Sequence, residues 1–301
     1  MDAPLRRFAT LVRKISFVLS TLNGNFRFHP QFHSQFLSTD RDVIVYLPPD
    51  YDSAPGRRYP VLYFHDGQNV FDAHTSFGGV EWGADETANA LTREGAIAPL
   101  IMVGIYNTGV SRIHEYTPSS GPHGHSEGRA GWYAKMILEE LVPFIDGEYR
   151  TLGGPKNTGM AGSSLGGLVT LYIGLSRPDV FGKLAVMSPS VWWDHGVILE
   201  IIRDLYPTPR EMNRPKIWLD MGTEEGSRPK RTLKDARMLR DLLVKRGWRL
   251  DEEMIYIEDE GAGHNESAWA SRLPFVFRLE LMLGHIGSDR WNLPNLMTCW
   301  F

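Results

Sequence analysis

The stretch Asn157 to Thr170, NTGMAGSSLGGLVT, constrains this chain more than any other. Within it, Gly162-Ser163-Ser164-Leu165-Gly166 has the spacing G-x-S-x-G, with Ser164 at its centre. A strand that ends near Gly162 must reverse sharply into a helix that starts near Leu165, and the serine then sits on the bend in a strained backbone conformation. Large side chains two positions either side would collide, so both flanks are glycine and the Ser164 Oγ is left exposed at the top of a sheet. The small and apolar residues before Gly162 suit a buried strand, and Leu168, Leu171, Tyr172 and Leu175 recur at helical spacing after Ser164. A glycine-rich turn whose serine merely caps a helix would share the five-residue pattern. Residues further along have to decide between the two.

With 301 residues, 42% of them hydrophobic and 23% charged, the chain has room for one large α/β domain or two small ones. A net charge of −4 gives no whole-chain attraction for nucleic acid or an anionic membrane. Cys299 is the only cysteine, which excludes an intrachain disulfide and a thiolate metal cluster. A reducing cytoplasm is therefore the default compartment, although secreted proteins can also lack disulfides. No apolar run approaches the roughly 18–20 residues a membrane span requires, so no stable membrane insertion is expected.

At the N-terminus, Leu5, Phe8, Val12, Ile15, Leu19 and Leu22 form one apolar stripe of a helix, flanked by Arg6, Arg7, Arg13 and Lys14. The expectation for residues 1–24 is an amphipathic helix packed on this domain or on a second subunit, which would make a homodimer; a targeting or membrane-surface segment is the alternative. From Phe26 the pattern alternates. Phe36, then Val43, Val45 and Leu47, read as two strands, and Pro60 to Phe64 as a short buried one. A helix over Asp85 to Arg93 and a strand over Leu100 to Ile105 follow, then a long irregular segment from Tyr106 to Arg129. Beyond it, a helix marked by Tyr133, Ile137, Leu141 and Phe144 ends near Pro143. After the serine strand and helix come strands at Leu184 to Met187, Ile217 to Asp220 and Met254 to Ile257, separated by helices. Strand and helix keep alternating without linker or repeat, which predicts one α/β domain over residues 25–301 with a mostly parallel central sheet flanked by helices.

A serine hydroxyl is a weak nucleophile near pH 7 and needs a base that is itself oriented by an acid. In α/β-hydrolases these follow in the order Ser, Asp or Glu, His, each on a loop at a strand's C-terminal end. Here the strand Ile217 to Asp220 runs into Met221-Gly222-Thr223-Glu224-Glu225, and the strand Met254 to Ile257 runs towards Gly263-His264-Asn265-Glu266. Alone, His264 reads as a surface histidine capping a helix and Glu225 as a solvated charge. Together with Ser164 they stand in the right order and topology. Elsewhere His123 and His125 resemble a metal pair but lack a third ligand at usable spacing, so no metal is expected. Arg112 and Glu115 are expected to pair with each other and shape the long segment.

At these residues the chain resembles the esterase branch of the α/β-hydrolases that holds feruloyl and acetylxylan esterases, siderophore trilactone esterases and mycolyltransferases. The resemblance runs from about Phe36 to Leu283. It rests on Val43 to Pro49, Phe64 to Phe71, Arg112 to Pro118, Gly162 to Gly167, Ser188 to Trp193 and Gly263 to Glu266. It implies an α/β-hydrolase fold, no metal or organic cofactor, Ser164 as nucleophile and His264 as general base. For the acid it selects Glu225, three positions after Gly222, with Glu224 and Asp220 as nearby alternatives. The oxyanion hole falls to the backbone N–H groups of Leu165 and of Gln68, favoured over Gly67. The implied activity is a serine carboxylesterase acting on small-molecule or carbohydrate-linked esters; acyl transfer on the same triad and a silent binding fold are the competing readings. The interval between the strands at Met187 and Ile217 is too short for a separate cap domain, so Trp192, Trp193 and Trp82 are expected to wall an open cleft.

Overall fold

The computed structural model describes residues 20–121, 124, 126–206 and 214–281. One eight-stranded sheet organises them: β1 (Asn25–Phe32), β2 (Arg41–Leu47), β3 (Val61–His65), β4 (Ile101–Ile105), β5 (Thr158–Ser163), β6 (Lys183–Met187), β7 (Lys216–Gly222) and β8 (Met254–Asp259). Their order in space is β1-β2-β4-β3-β5-β6-β7-β8. β1 and β2 join antiparallel at one edge, and β4 through β8 run parallel. This is an α/β-hydrolase sheet. Every residue of β3, β4, β5 and β6 is buried, as crossover helices covering both faces require.

The strand period of two divides the core in two. Val61 and Tyr63 of β3, Val103 of β4 and Met160 of β5 face one side, whereas Leu62, Phe64, Met102 and Ala161 face the other. The second side is covered by α1 (Ala84–Arg93) and the last helix, α8 (Glu266–Leu281), through Leu91, Trp269, Leu273 and Phe277. The first side takes the remaining long helices. These are the helical run of α3 (Ala130–Lys135) and α4 (Val142–Glu148), then α5 (Leu165–Ser176), α6 (Val197–Leu205) and α7 (Pro229–Lys245), with α2 (Arg112–Glu115) a single turn before them. α7 closes on a left-handed glycine: Gly247 has a φ of 105° and Trp248 N–H returns to the Leu243 carbonyl.

Three sequence expectations need correcting. The first strand is β1, ahead of Phe36; a bulge between His29 and Phe32 breaks the alternation, and Phe36 packs on the core from a loop. Pro143 does not end its helix. A π-helical turn over Met136–Leu141 precedes it, and the helix resumes through Pro143 to Glu148, which places the missing N–H in a first turn where none is needed. The segment from Tyr106 is not wholly irregular either, since it contains α2. The N-terminal stripe falls almost wholly outside the described residues, as do His123 and His125. No helix among the described residues is long and apolar enough to cross a membrane.

Candidate active site

Ser164 lies between β5 and α5 with φ 59° and ψ −121°, a conformation that side chains rarely adopt. A Cβ at Gly162 would lie 2.7 Å from the Gly166 carbonyl carbon, so the strand can cross the helix start only without a side chain. The second flank is less strict than the spacing predicts: the nearest atoms to a Cβ at Gly166 would be an Asp66 carboxylate oxygen at 3.2 Å and the His65 Cβ at 3.4 Å, with no backbone in the way. The bend is held by Ser164 N–H on the Met187 carbonyl (3.0 Å) and by the Ser164 carbonyl, which accepts from Leu168 and Ser190 (both 3.0 Å). Leu165 opens α5, so its N–H has no acceptor one turn back, and the positive end of the helix faces the serine.

The acid and the histidine arrive on two loops that are locked together. Thr223 and Glu224 donate backbone N–H groups to Asp259 and Ala262, and Gly261 donates to Thr223 Oγ1 at 2.8 Å. A Cβ at Gly222 would stand 2.3 Å from the Ala262 carbonyl oxygen, so these loops touch backbone to backbone. From this platform His264 Nε2 reaches Ser164 Oγ at 2.9 Å and His264 Nδ1 reaches Glu225 Oε2 at 2.7 Å. Glu225 is fully buried, and its Oε1 accepts from Gly222 N–H (2.8 Å) and from the Ser188 hydroxyl. Glu224 points to solvent. Asp220 lies behind, engaged with Arg272, with Trp218 Nε1 at 2.6 Å and with Ser188 N–H at 2.9 Å. Burial pushes the Asp220 carboxyl up to about 6 against the pull of Arg272. Of the three candidate acids, then, Glu225 alone meets the imidazole.

Sequence reasoning missed the support beneath that imidazole. Trp269, one turn into α8, meets the His264 ring edge to face at 5.0 Å and donates its indole N–H to Ser188 Oγ at 3.0 Å. Arg272, one turn further, reaches Asp220 and lies 3.7 Å from Glu225. The signal was a lone arginine among apolar residues in Ala270-Ser271-Arg272-Leu273-Pro274-Phe275, which a buried acid has to explain.

The opposite wall is built on the loop after β3. Asp66 takes a left-handed φ of 55°, and its carboxylate accepts from Arg112 Nε and Nη2 and from Asn107 Nδ2, each at 2.7 Å. Burial raises the Asp66 carboxyl, but the Arg112 guanidinium and Asn107 outweigh it and hold it below the usual carboxylate range. Glu115 pairs instead with Arg41 of β2, through two bonds of 2.9 and 3.0 Å. The expected Arg112–Glu115 pair is thus replaced by two buried pairs, because each side chain of this single-turn helix faces a different strand end. His65, just before Asp66, is buried with Nδ1 on the Tyr133 hydroxyl at 2.9 Å, and burial lowers its pKa to about 3. Gln68 lines the same cleft as Ser164, its side-chain carbonyl taking Asn107 N–H at 3.1 Å.

The cleft between the walls has a volume of about 670 Å³, and its apolar lining is Phe77, Val80 and Trp269. The expected tryptophans do not line it. Trp82 is buried in the core beside α8 with its indole N–H on Glu266, and Trp193 is buried with its indole N–H on the Ser119 carbonyl. Trp192 stands 52% exposed, away from the cleft. Between β6 and β7 the described residues hold one short turn and α6, with no cap domain over Ser164.

Three comparisons bear on this geometry. A profile of the family described as "Putative esterase" matches residues 34–278. An uncharacterized Bacillus subtilis (strain 168) protein, YbbA, is 26% identical over 260 residues, covering 83% of this chain and 96% of that one. Ferri-bacillibactin esterase BesA of the same organism is 26% identical over 244 residues, covering 75% of this chain and 80% of its own. Among solved structures, the BES protein from Bacillus cereus superposes with a TM-score of 0.70 at 22% identity, over 88% of this chain and 97% of that one. At that identity the likeness speaks for the fold.

Proposed function

The chain belongs to this esterase family, and we propose that within it the protein is a serine carboxylesterase for bulky oxygen esters, with Ser164 as nucleophile, His264 as general base and Glu225 as the acid. The observation that carries this reading is the unbroken line from Ser164 Oγ to His264 Nε2 (2.9 Å) and from His264 Nδ1 to Glu225 Oε2 (2.7 Å). Ser164 Oγ attacks the ester carbonyl as its proton passes to Nε2, and Glu225 holds Nδ1–H and stabilises the imidazolium so formed. The oxygen of the tetrahedral intermediate takes the N–H groups of Leu165, at the positive end of α5, and of Gln68. His264 then gives the proton to the leaving alcohol, the C–O bond breaks, and the acyl group stays on Ser164. Water repeats the sequence against the acyl-enzyme and releases the acid.

The cleft supports an ester with a large, partly aromatic group. Its lining sets Phe77, Val80 and Trp269 against the polar side chains of Asn107 and Arg112, and no cap among the described residues encloses an acyl chain. A siderophore-type ester, the class that names the relative BesA, fits this description. The test has two arms. A fluorophosphonate should label the protein at Ser164, located by peptide mass. A panel of nitrophenyl esters of rising chain length, feruloyl esters, acetylated sugars and siderophore lactones should then favour aromatic esters. Failure to label would remove the serine mechanism, and a preference for long acyl chains would remove the substrate class. Products formed with an added alcohol acceptor separate hydrolysis from acyl transfer.

A further inference from the structure

The loop that carries Phe77 and Val80 ends at Glu81, and there the chain gathers acid without base. One oxygen each of Glu81, Asp85 and Glu86 lie mutually within 4.8 Å. Asp85 and Glu86 stand in the first turn of α1, whose unpaired N–H groups favour acidic side chains, and that accounts for carboxylates near this position. It does not account for how they are bonded. Asp85 is fully buried; its Oδ2 accepts Asn23 N–H at 2.8 Å, while its Oδ1 is buried with no hydrogen-bond partner. Glu81 Oε2 and Glu86 Oε2 are buried and unpartnered in the same way. Among the described residues, no lysine, arginine or histidine forms an ion pair with any of the three.

We infer that Glu81, Asp85 and Glu86 form a binding site for a single calcium-class divalent cation, separate from the Ser164 cleft. Three carboxylates gathered within one ion's reach, each with a buried oxygen that has no hydrogen-bond partner, are what such a cation satisfies, and a buried acceptor left unpaired is costly. The donors are all hard oxygens without histidine or cysteine, which suits calcium rather than zinc or copper. Calcium also tolerates an irregular set of six to eight oxygens completed by carbonyls and water, whereas magnesium demands near-octahedral geometry. The position gives the ion a structural task. Glu81 anchors the base of the Phe77 loop, its neighbour Trp82 holds Glu266 of the cleft wall, and Asp85 holds Asn23 ahead of β1. A bound ion ties these three segments together.

The test uses the full-length chain stripped with EDTA. Terbium titrated against it should give saturable emission sensitised through tryptophan, Trp82 being next to Glu81, and calcium should displace it. Melting should rise with calcium concentration beyond the effect of sodium chloride at equal ionic strength. Glu81→Gln and Glu86→Gln, at partly exposed positions that tolerate change, should each weaken terbium binding by about tenfold or more and flatten the calcium-dependent rise. Emission that never saturates, a calcium effect no larger than that of sodium, or full binding in both variants would overturn the site. Equal stabilisation by magnesium would overturn the choice of ion.

Discussion

The two walls of the cleft are built by opposite means. On the wall that carries Glu225 and His264, both carboxylate oxygens of the acid are engaged, both imidazole nitrogens are bonded, and the two loops touch through Gly222 and Ala262. The other wall starts just as firmly, with Asp66 gripped by Arg112 and Asn107, but it ends in a loop that is tied at Phe77 N–H to Asn69 Oδ1 and bare at its tip. There Gly78 and Gly79 take left-handed φ values of 68° and 74° with open space around them, and Phe77 is 80% exposed. Proton transfer fails if a donor shifts by a fraction of an ångström, so the groups that exchange protons are over-determined. Discrimination among large substrates tolerates a surface that adjusts, so the groups that would meet the rest of the ester are not.

Damage should therefore follow the wall that is touched. Ser164→Ala, at the junction of the two, removes the proposed nucleophile and should lower kcat by up to about a million-fold with folding unchanged, as nitrophenyl ester turnover and circular dichroism would record. Near-normal turnover would break the assignment. Glu225→Gln should cost about ten-thousand-fold in kcat, because a neutral amide cannot hold the correct imidazole tautomer or stabilise the imidazolium. The same change at exposed Glu224 should be almost silent. Equal and mild losses at both would show that this wall is less rigid than its contacts imply.

Acid probes the start of the second wall. The His65 imidazole, facing Tyr133, Tyr116, Asp66 and Arg112, stays neutral in the folded chain down to about pH 3, while an unfolded chain protonates it below about 6.5. Its folded pKa is depressed, so its contribution is intact above about 6.5 and is lost as pH falls towards 3, by at most about 5 kcal/mol. Denaturant melts across that window should show a shallower pH slope for His65→Asn than for the wild type, and an unchanged slope would reject the account. The smallest effect belongs to the loop tip. Phe77→Ala should leave the melting temperature unchanged and acetyl-ester turnover within about twofold, yet lower kcat/KM for aromatic esters by roughly tenfold, one buried aromatic contact's worth. A uniform loss on all esters would place Phe77 in the chemistry instead.

The firm wall was also the more legible in sequence, for a physical reason. Ser164 and His264 announce themselves through glycine spacing and through their places after strands, which are local constraints. Glu225 needed the family resemblance, because Glu224 and Asp220 lie close along the chain: exposure sets Glu224 apart, but Asp220 is as buried as Glu225 and differs only in the distant partner, Arg272, that engages it. The alternation of strands and helices was readable because both faces of β3 to β6 are apolar. What stayed hidden depended on distant partners. Arg112 and Glu115 look like a pair at helical spacing, but their partners Asp66 and Arg41 are 46 and 74 residues away. Tryptophan content gave no hint of which rings face the cleft, and Trp269, at core spacing on α8, supports the histidine.

The bend at Ser164 has a consequence for how this protein can change over generations. Its backbone suits glycine better than any side chain, and holding serine there costs about 1–3 kcal/mol, against 0.5–1 kcal/mol for the extra chain freedom glycine would bring. Ser164→Gly should therefore melt at or above the wild-type temperature while being inert, a result that calorimetry can check. Every lineage that keeps the reaction must keep refusing a replacement that its own fold would welcome. A descendant freed from selection for turnover is expected to lose this residue early and to become sturdier as it falls silent.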